Sequence, residues 1–164
     1  MMRLTGKTTI GASRERVWAF ITDPAKVGGC APEMKKLNVI DESHYEIKCG
    51  LDVGIVGGAF NAKVEIRDRV ELEKVTLAID GMATSVMFDI PATMLTVLTL
   101  VELGPASTEL AWNAELTVGK PYEPTESFVA ETANGKLIGP MIVSVRKKVE
   151  AEELAAAAEG ATPA

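Results

Sequence analysis

From Tyr45 onward the chain repeats one pattern: apolar and polar residues alternate singly, in short runs broken by turn-forming residues. The cleanest run sets Phe60, Ala62, Val64 and Ile66 against Asn61, Lys63, Glu65 and Arg67. A two-residue period sends successive side chains to opposite faces, so each run predicts a strand with one dry and one wet face. The period recurs in Tyr45, Ile47 and Cys49, in Val75, Leu77 and Ile79, in the Thr-rich apolar stretch 92–103, and in Leu110, Trp112, Ala114 and Leu116. Leu37 and Val39 open another strand before a turn at Asp41–His44, and residues 3–10 read as a first one. Strands this short and this closely spaced predict an antiparallel sheet of about seven strands.

Two other segments follow a helical period. Ser13 is placed to cap a helix, with Glu15 in its first turn and Val17, Trp18, Phe20 and Ile21 on its apolar face. Asp23-Pro24 ends that helix, and a second short turn runs through Val27 to Gly28-Gly29. Beyond residue 123, Phe128, Gly135, Ile138, Ile142, Val145 and Val149 fall on one helical stripe. Arg146, Lys147, Lys148, Glu150, Glu152 and Glu153 supply the expected solvated face. Gly135, Gly139 and Pro140 predict a kink, because glycine and proline are the costliest residues inside a helix. The long C-terminal helix is the only element able to cover the dry face of the sheet. The expectation is an α+β fold: residues 1–155 form one domain, and 156–164 form a frayed tail.

Composition excludes several functions. With 17 basic against 23 acidic residues, the formal charge is −6, which disfavours binding to a phosphate backbone. No apolar run approaches the roughly 20 residues of a membrane span. Met1–Lys7 lacks the apolar core of a signal peptide, so the expected location is the cytoplasm. Cys30 and Cys49 match neither a disulfide framework nor a zinc spacing, and His44 is the only histidine. No metal or cofactor is therefore expected. For catalysis, Tyr45 is the best candidate, Thr132 could only orient a substrate, and no Gly-rich phosphate loop is present.

Small residues interrupt both layers: Ala62, Gly81 and Ala114 on strands, Gly135 and Gly139 on the helix. Either they leave a cavity between sheet and helix, suited to a lipophilic ligand, or they let the two layers pack closely. On the cavity reading, Phe60, Val64, Leu77, Ile79, Leu98, Leu100 and Trp112 are the candidate strand contacts. Phe128, Thr132, Gly135 and Met141 are the helix contacts. Trp18 reads as a packing anchor, Cys30 as a small buried hydrophobe, His44 as an exposed turn residue, and Met82, Met87 and Met94 as gap-fillers. Gly135→Leu should then fill the cavity.

The run Val17-Trp18-Ala19-Phe20-Ile21-Thr22-Asp23-Pro24, followed by Val27, Cys30 and Pro32, resembles the carbon monoxide dehydrogenase G-subunit family, a branch of the START-like (SRPBCC) helix-grip superfamily. Gly57 to Glu65, and Leu110-Ala111-Trp112 through Val118-Gly119-Lys120, are similar as well. The resemblance implies a helix-grip fold with a hydrophobic cavity that holds a lipid or quinone. It also implies a non-enzymatic accessory role to a molybdenum hydroxylase such as carbon monoxide dehydrogenase, with peripheral contact at the inner face of the membrane. Two alternatives remain: a START-like polyketide cyclase or dehydratase, or a protein–protein adaptor working through Met82–Pro91. The family often places glycine after its Cys-x-Pro, where this chain has Glu33, and longer members carry a C-terminal anchor.

Overall fold

The computed structural model describes residues 1–53, 56–85 and 89–160. Seven strands form one antiparallel sheet: β1 (Met2–Ile10), β2 (Met34–Val39), β3 (His44–Val53), β4 (Val56–Val70), β5 (Lys74–Ser85), β6 (Asp89–Gly104) and β7 (Ser107–Val118). Their order is β1-β7-β6-β5-β4-β3-β2. Hairpins carry the chain from β2 to β7, and β1 pairs back onto β7 from Met2↔Leu116 to Ile10↔Thr108. The two edges of the sheet are therefore consecutive in sequence, and the chain passes between them through α1 (Arg14–Ile21) and α2 (Pro24–Gly28). The predicted α+β helix-grip architecture is the observed one.

Each element has a local cause. Ser13 accepts the Arg16 amide at 3.2 Å and starts α1. Asp23 both follows the end of α1 and caps α2, accepting the Ala25 and Lys26 amides at 3.0 and 3.3 Å, with Pro24 in the first turn, where it forfeits no helical bond. The strand burial patterns keep the predicted phase: on β7, Thr108, Leu110, Ala114, Leu116 and Val118 are buried. Thr108, the polar exception, donates to the Ala12 carbonyl at 2.8 Å. At the turn after α2, Glu33 has φ 49°, the left-handed conformation that glycine adopts without steric cost. Glu33 thus holds a backbone conformation for which glycine is the easier residue.

A helical stretch crosses the inner face of the sheet: α3 (Glu126–Ala133), a π-helical turn (Asn134–Ile138) and α4 (Gly139–Gly160). The expected kink takes the form of this π turn. The Gly139 amide bonds the Asn134 carbonyl, five residues back, immediately before Pro140, which has no amide to contribute. Past it, Val145 and Val149 are buried among Ile10, Ile66, Val75, Leu98, Leu100 and Leu110. The charged residues of α4 are not simply solvated. Glu150 accepts the Gly11 amide at 2.9 Å, Glu152 pairs with Lys26 at 3.0 Å, Glu153 pairs with Arg16, and Lys148 donates to the Gly29 carbonyl at 3.1 Å. They clamp α4 against α1 and α2.

Candidate functional site

The cavity forms at one end of the sheet, where β3, β5 and β7 finish and β4 and β6 begin, under α3 and the π turn. Its volume is about 290 Å³. That lies at the small end of ligand sites, which run from roughly 300 to 1,000 Å³. The sheet contributes Ile47, Cys49, Phe60, Ile79, Ala83, Ile90, Ala92, Met94 and Leu116, and the helix contributes Val129, Thr132, Ala133, Leu137, Ile138 and Met141. Ala31 and Pro32 close one side, and Phe128, which is 58% exposed, stands at the rim.

Of the residues singled out from sequence, Phe60, Val64, Leu77, Ile79, Phe128, Thr132 and Met141 line this space. Four others do not. Leu98 and Leu100 face inward but lie at the opposite end of β6, packed against α1 and α4 in the closed core. Trp112 also faces inward, but its indole covers Gly6 on the neighbouring strand, where a Cβ would overlap the ring. Gly135 is exposed, and a Cβ there would meet nothing within 4 Å. The π turn is the reason. Counting at 3.6 residues per turn places Gly135 below Thr132, but the wider turn moves the inward stripe from Ala133 to Leu137. Gly135→Leu would therefore not fill the cavity. Gly81 does not open space either, since the Phe60 ring lies over it, within 2.6 Å of where a Cβ would sit. Short side chains that carry no signal in the periodic pattern line the space: Ala83 and Ala92 on the sheet and Ala133 on α3.

The chemistry of the walls is uniform. Among the described residues, none that lines the cavity is charged; the polar ones are Tyr45, Cys49, Thr84, Ser85 and Thr132. Thr84 already donates to the Ala59 carbonyl at 3.3 Å. Burial pushes the Tyr45 phenol well above its ordinary range, with the nearby Cys30 adding to the effect. Burial also raises the Cys49 thiol, helped by Glu33, and it raises Cys30 more than a bond from Ser144 and the charge of Lys148 lower it. All three stay protonated at neutral pH, so they behave as weak polar or apolar wall rather than as bases or nucleophiles. The histidine is remote: His44 bridges Asp41 at 2.8 Å and Glu65 at 3.0 Å on the outer face. Trp18 packs on the core, as its spacing predicted. Met82 is exposed on the outer face, Met94 lines the cavity, and Met87 with Phe88 lies outside the described residues. Among the described residues no cluster of His, Cys, Asp or Glu is placed to hold a metal, and no helix is long and apolar enough to cross a membrane.

Solved structures share this architecture. A conserved protein from Geobacillus kaustophilus superposes with a TM-score of 0.73 at 21% identity, covering 90% of this chain and 95% of its own. A START superfamily protein from Mycobacterium smegmatis gives 0.64 at 17%, covering 90% and 97%. The ZhuI aromatase/cyclase from Streptomyces sp. R1128 gives 0.63 at 11%, covering 91% and 93%. At these identities the likeness is one of fold. No curated protein shows significant sequence similarity to the chain. The sequence itself matches the carbon monoxide dehydrogenase G-subunit family (CoxG) over residues 6–150, nearly the whole of the helix-grip fold just described, and the chain belongs to that family.

Proposed function

We propose that this protein holds a neutral lipophilic molecule, of lipid or quinone type, between the sheet and α3. In this reading it serves as a non-enzymatic accessory to a molybdenum hydroxylase of the carbon monoxide dehydrogenase kind. The cavity carries the ligand half of the proposal. Its walls are apolar and carry no charge among the described residues, so an ionised headgroup buried there would lose its hydration without a counter-charge. Family membership carries the partner half. Among the described residues, the titratable wall groups Tyr45 and Cys49 stay protonated at neutral pH and offer no general base, which favours binding over turnover.

N-phenyl-1-naphthylamine, a neutral dye that brightens in apolar surroundings, tests the cavity. The native protein should bind it saturably. Ala133→Leu, which projects into the cavity, should abolish the signal, and Gly135→Leu, which projects into solvent, should leave it unchanged. Equal binding by both variants would remove the cavity as the site.

A further inference from the structure

A sheet with one solvated face carries polar residues there, and on β3 and β4 the outward positions do: Glu46, Lys48, Lys63 and Glu65. The central strand β6 differs. With Ala92, Thr96, Leu98 and Leu100 buried on its inner face, its outward positions from Pro91 on are Pro91, Thr93, Leu95, Val97, Thr99 and Val101, and none is charged. Leu95 is 41% and Val101 46% exposed. The neighbouring strands widen this band. Thr76 and Ala78 of β5 lie opposite Val97 and Leu95, and Ala111 and Asn113 of β7 lie opposite Thr99 and Val97. Charge returns at the rims near Thr99 and Val101, with opposite signs. Lys74 of β5 stands opposite Thr99 and Glu109 of β7 opposite Val101, and among the described residues neither is in an ion pair. One strand further out, the row through Leu95 carries Glu65 on β4 and, on β1, Arg3, which pairs with Glu115 at 2.8 Å.

We infer that this band is the interface of a two-fold dimer, covered by the same band of a second copy of this chain. The rims select the occupant. A partner carrying one sign of charge would satisfy one rim and be repelled by the other. A second copy, turned about an axis running along β6, sets its acidic β7 rim over the basic β5 rim, and by symmetry the contact forms twice. Lys74 of each copy then faces Glu109 of the other. The same rotation lays Arg3 over Glu65 of the other copy, since each stands two strands from β6 in one row. Glu115 and Asp80, the other charges beside the band, face the uncharged Ala78 and Thr117. An axis across the strands would instead set β7 on β7, acid beside acid. At the centre, Leu95, Val97 and Val101 each meet their own counterpart across the roughly 10 Å that separates packed sheets. With about 4.8 Å between strands and about 3.3 Å per residue, the band measures roughly 14 Å by 35 Å, or about 500 Å² per copy. Two such faces bury about 1,000 Å², the lower bound of a specific interface, so association is reversible and no tighter than micromolar. Because the axis runs along the strands, the hollow ends of both copies lie at the same end of the pair, and no residue of the band lines a cavity.

Sedimentation velocity of the full chain should show a monomer at low micromolar concentration that converts to a dimer by about 500 µM. Leu95→Glu and Val101→Glu, each of which sets a carboxylate against its own counterpart at the centre of the pair, should leave the protein monomeric throughout. Lys74→Glu and Glu109→Lys change only exposed or half-exposed rim positions, where folding is least disturbed. Each should weaken the dimer roughly tenfold at low salt, since two symmetry-related attractions become repulsions. Combining them should bring the affinity back to within about threefold of the native value, because the exchanged charges face each other again. A native protein still monomeric at the highest concentration would overturn the dimer. A dimer that survives both Leu95→Glu and Val101→Glu would overturn this face as its interface. A double variant no tighter than either single one would overturn the two-fold arrangement along β6.

Discussion

The two ends of the sheet are built from the same alternating pattern and reach opposite results. At one end Ile10, Ile66, Val75, Leu98, Leu100 and Leu110 meet Val145 and Val149 of α4, which four polar contacts hold against α1 and α2. At the other, Ala83, Ala92 and Ala133 face one another across empty space, and the cover is α3, whose own small core cluster is Ala92, Leu116 and Ala130. Whether an inward-facing side chain is structural or available to a ligand depends on its distance along the strand and not on its face.

The largest test of this contrast is truncation. Leu110→Ala, in the packed end, should cost about 3 kcal/mol, within the usual range for a buried leucine. Ile79→Ala, already facing the cavity, should cost about half as much, because part of its surface has no packing partner to lose. Chemical denaturation gives both values, and equal costs would erase the distinction between the ends. A smaller effect is expected at the rim of the hollow end, where Glu33 holds its left-handed φ. Glu33→Gly should raise stability by about 0.5–1 kcal/mol, the relieved strain less the added freedom of the unfolded chain.

The smallest effect belongs to the outer face. Asp41 and then Glu65 raise the pKa of His44, and hydrogen bonds from Ser43 and His44 lower that of Asp41. The His44 contribution is fully present below its unfolded value of about 6.5 and fades as pH rises through its raised folded value. The Asp41 contribution is present above about 4 and fades as pH falls through its lowered one. Stability should therefore slope gently downward above about pH 6.5, and His44→Gln should flatten that slope. Because both groups are exposed, ligand binding at the far side of the sheet should show no such dependence.

The sequence announced the faces well and the positions along them poorly. Period-two runs identified the inner residues Phe60, Val64, Leu77 and Ile79, because burial on one face imposes alternation wherever a strand runs. They could not separate Leu98 and Leu100 from Met94 and Ala92, since all four share a face of β6 and only the crossing point of the helix distinguishes them. On the helix, constant-period counting put Phe128, Thr132 and Met141 on what is the cavity wall, and Gly135 beside them where the wall does not run, because a π turn has no periodic signature. Gly139-Pro140 was the available signal, and it announced an irregularity without its geometry.

The π turn has a consequence for how such a protein changes over evolutionary time. It is a single surplus residue in an otherwise regular rod, so deleting one position within 134–138 would restore ordinary winding and rotate everything upstream by about 100°. The clamp on the downstream half would be untouched, while a new set of side chains turned towards the hollow. One indel could thus rewrite the ceiling of the chamber wholesale, with no substitution at any residue that forms it.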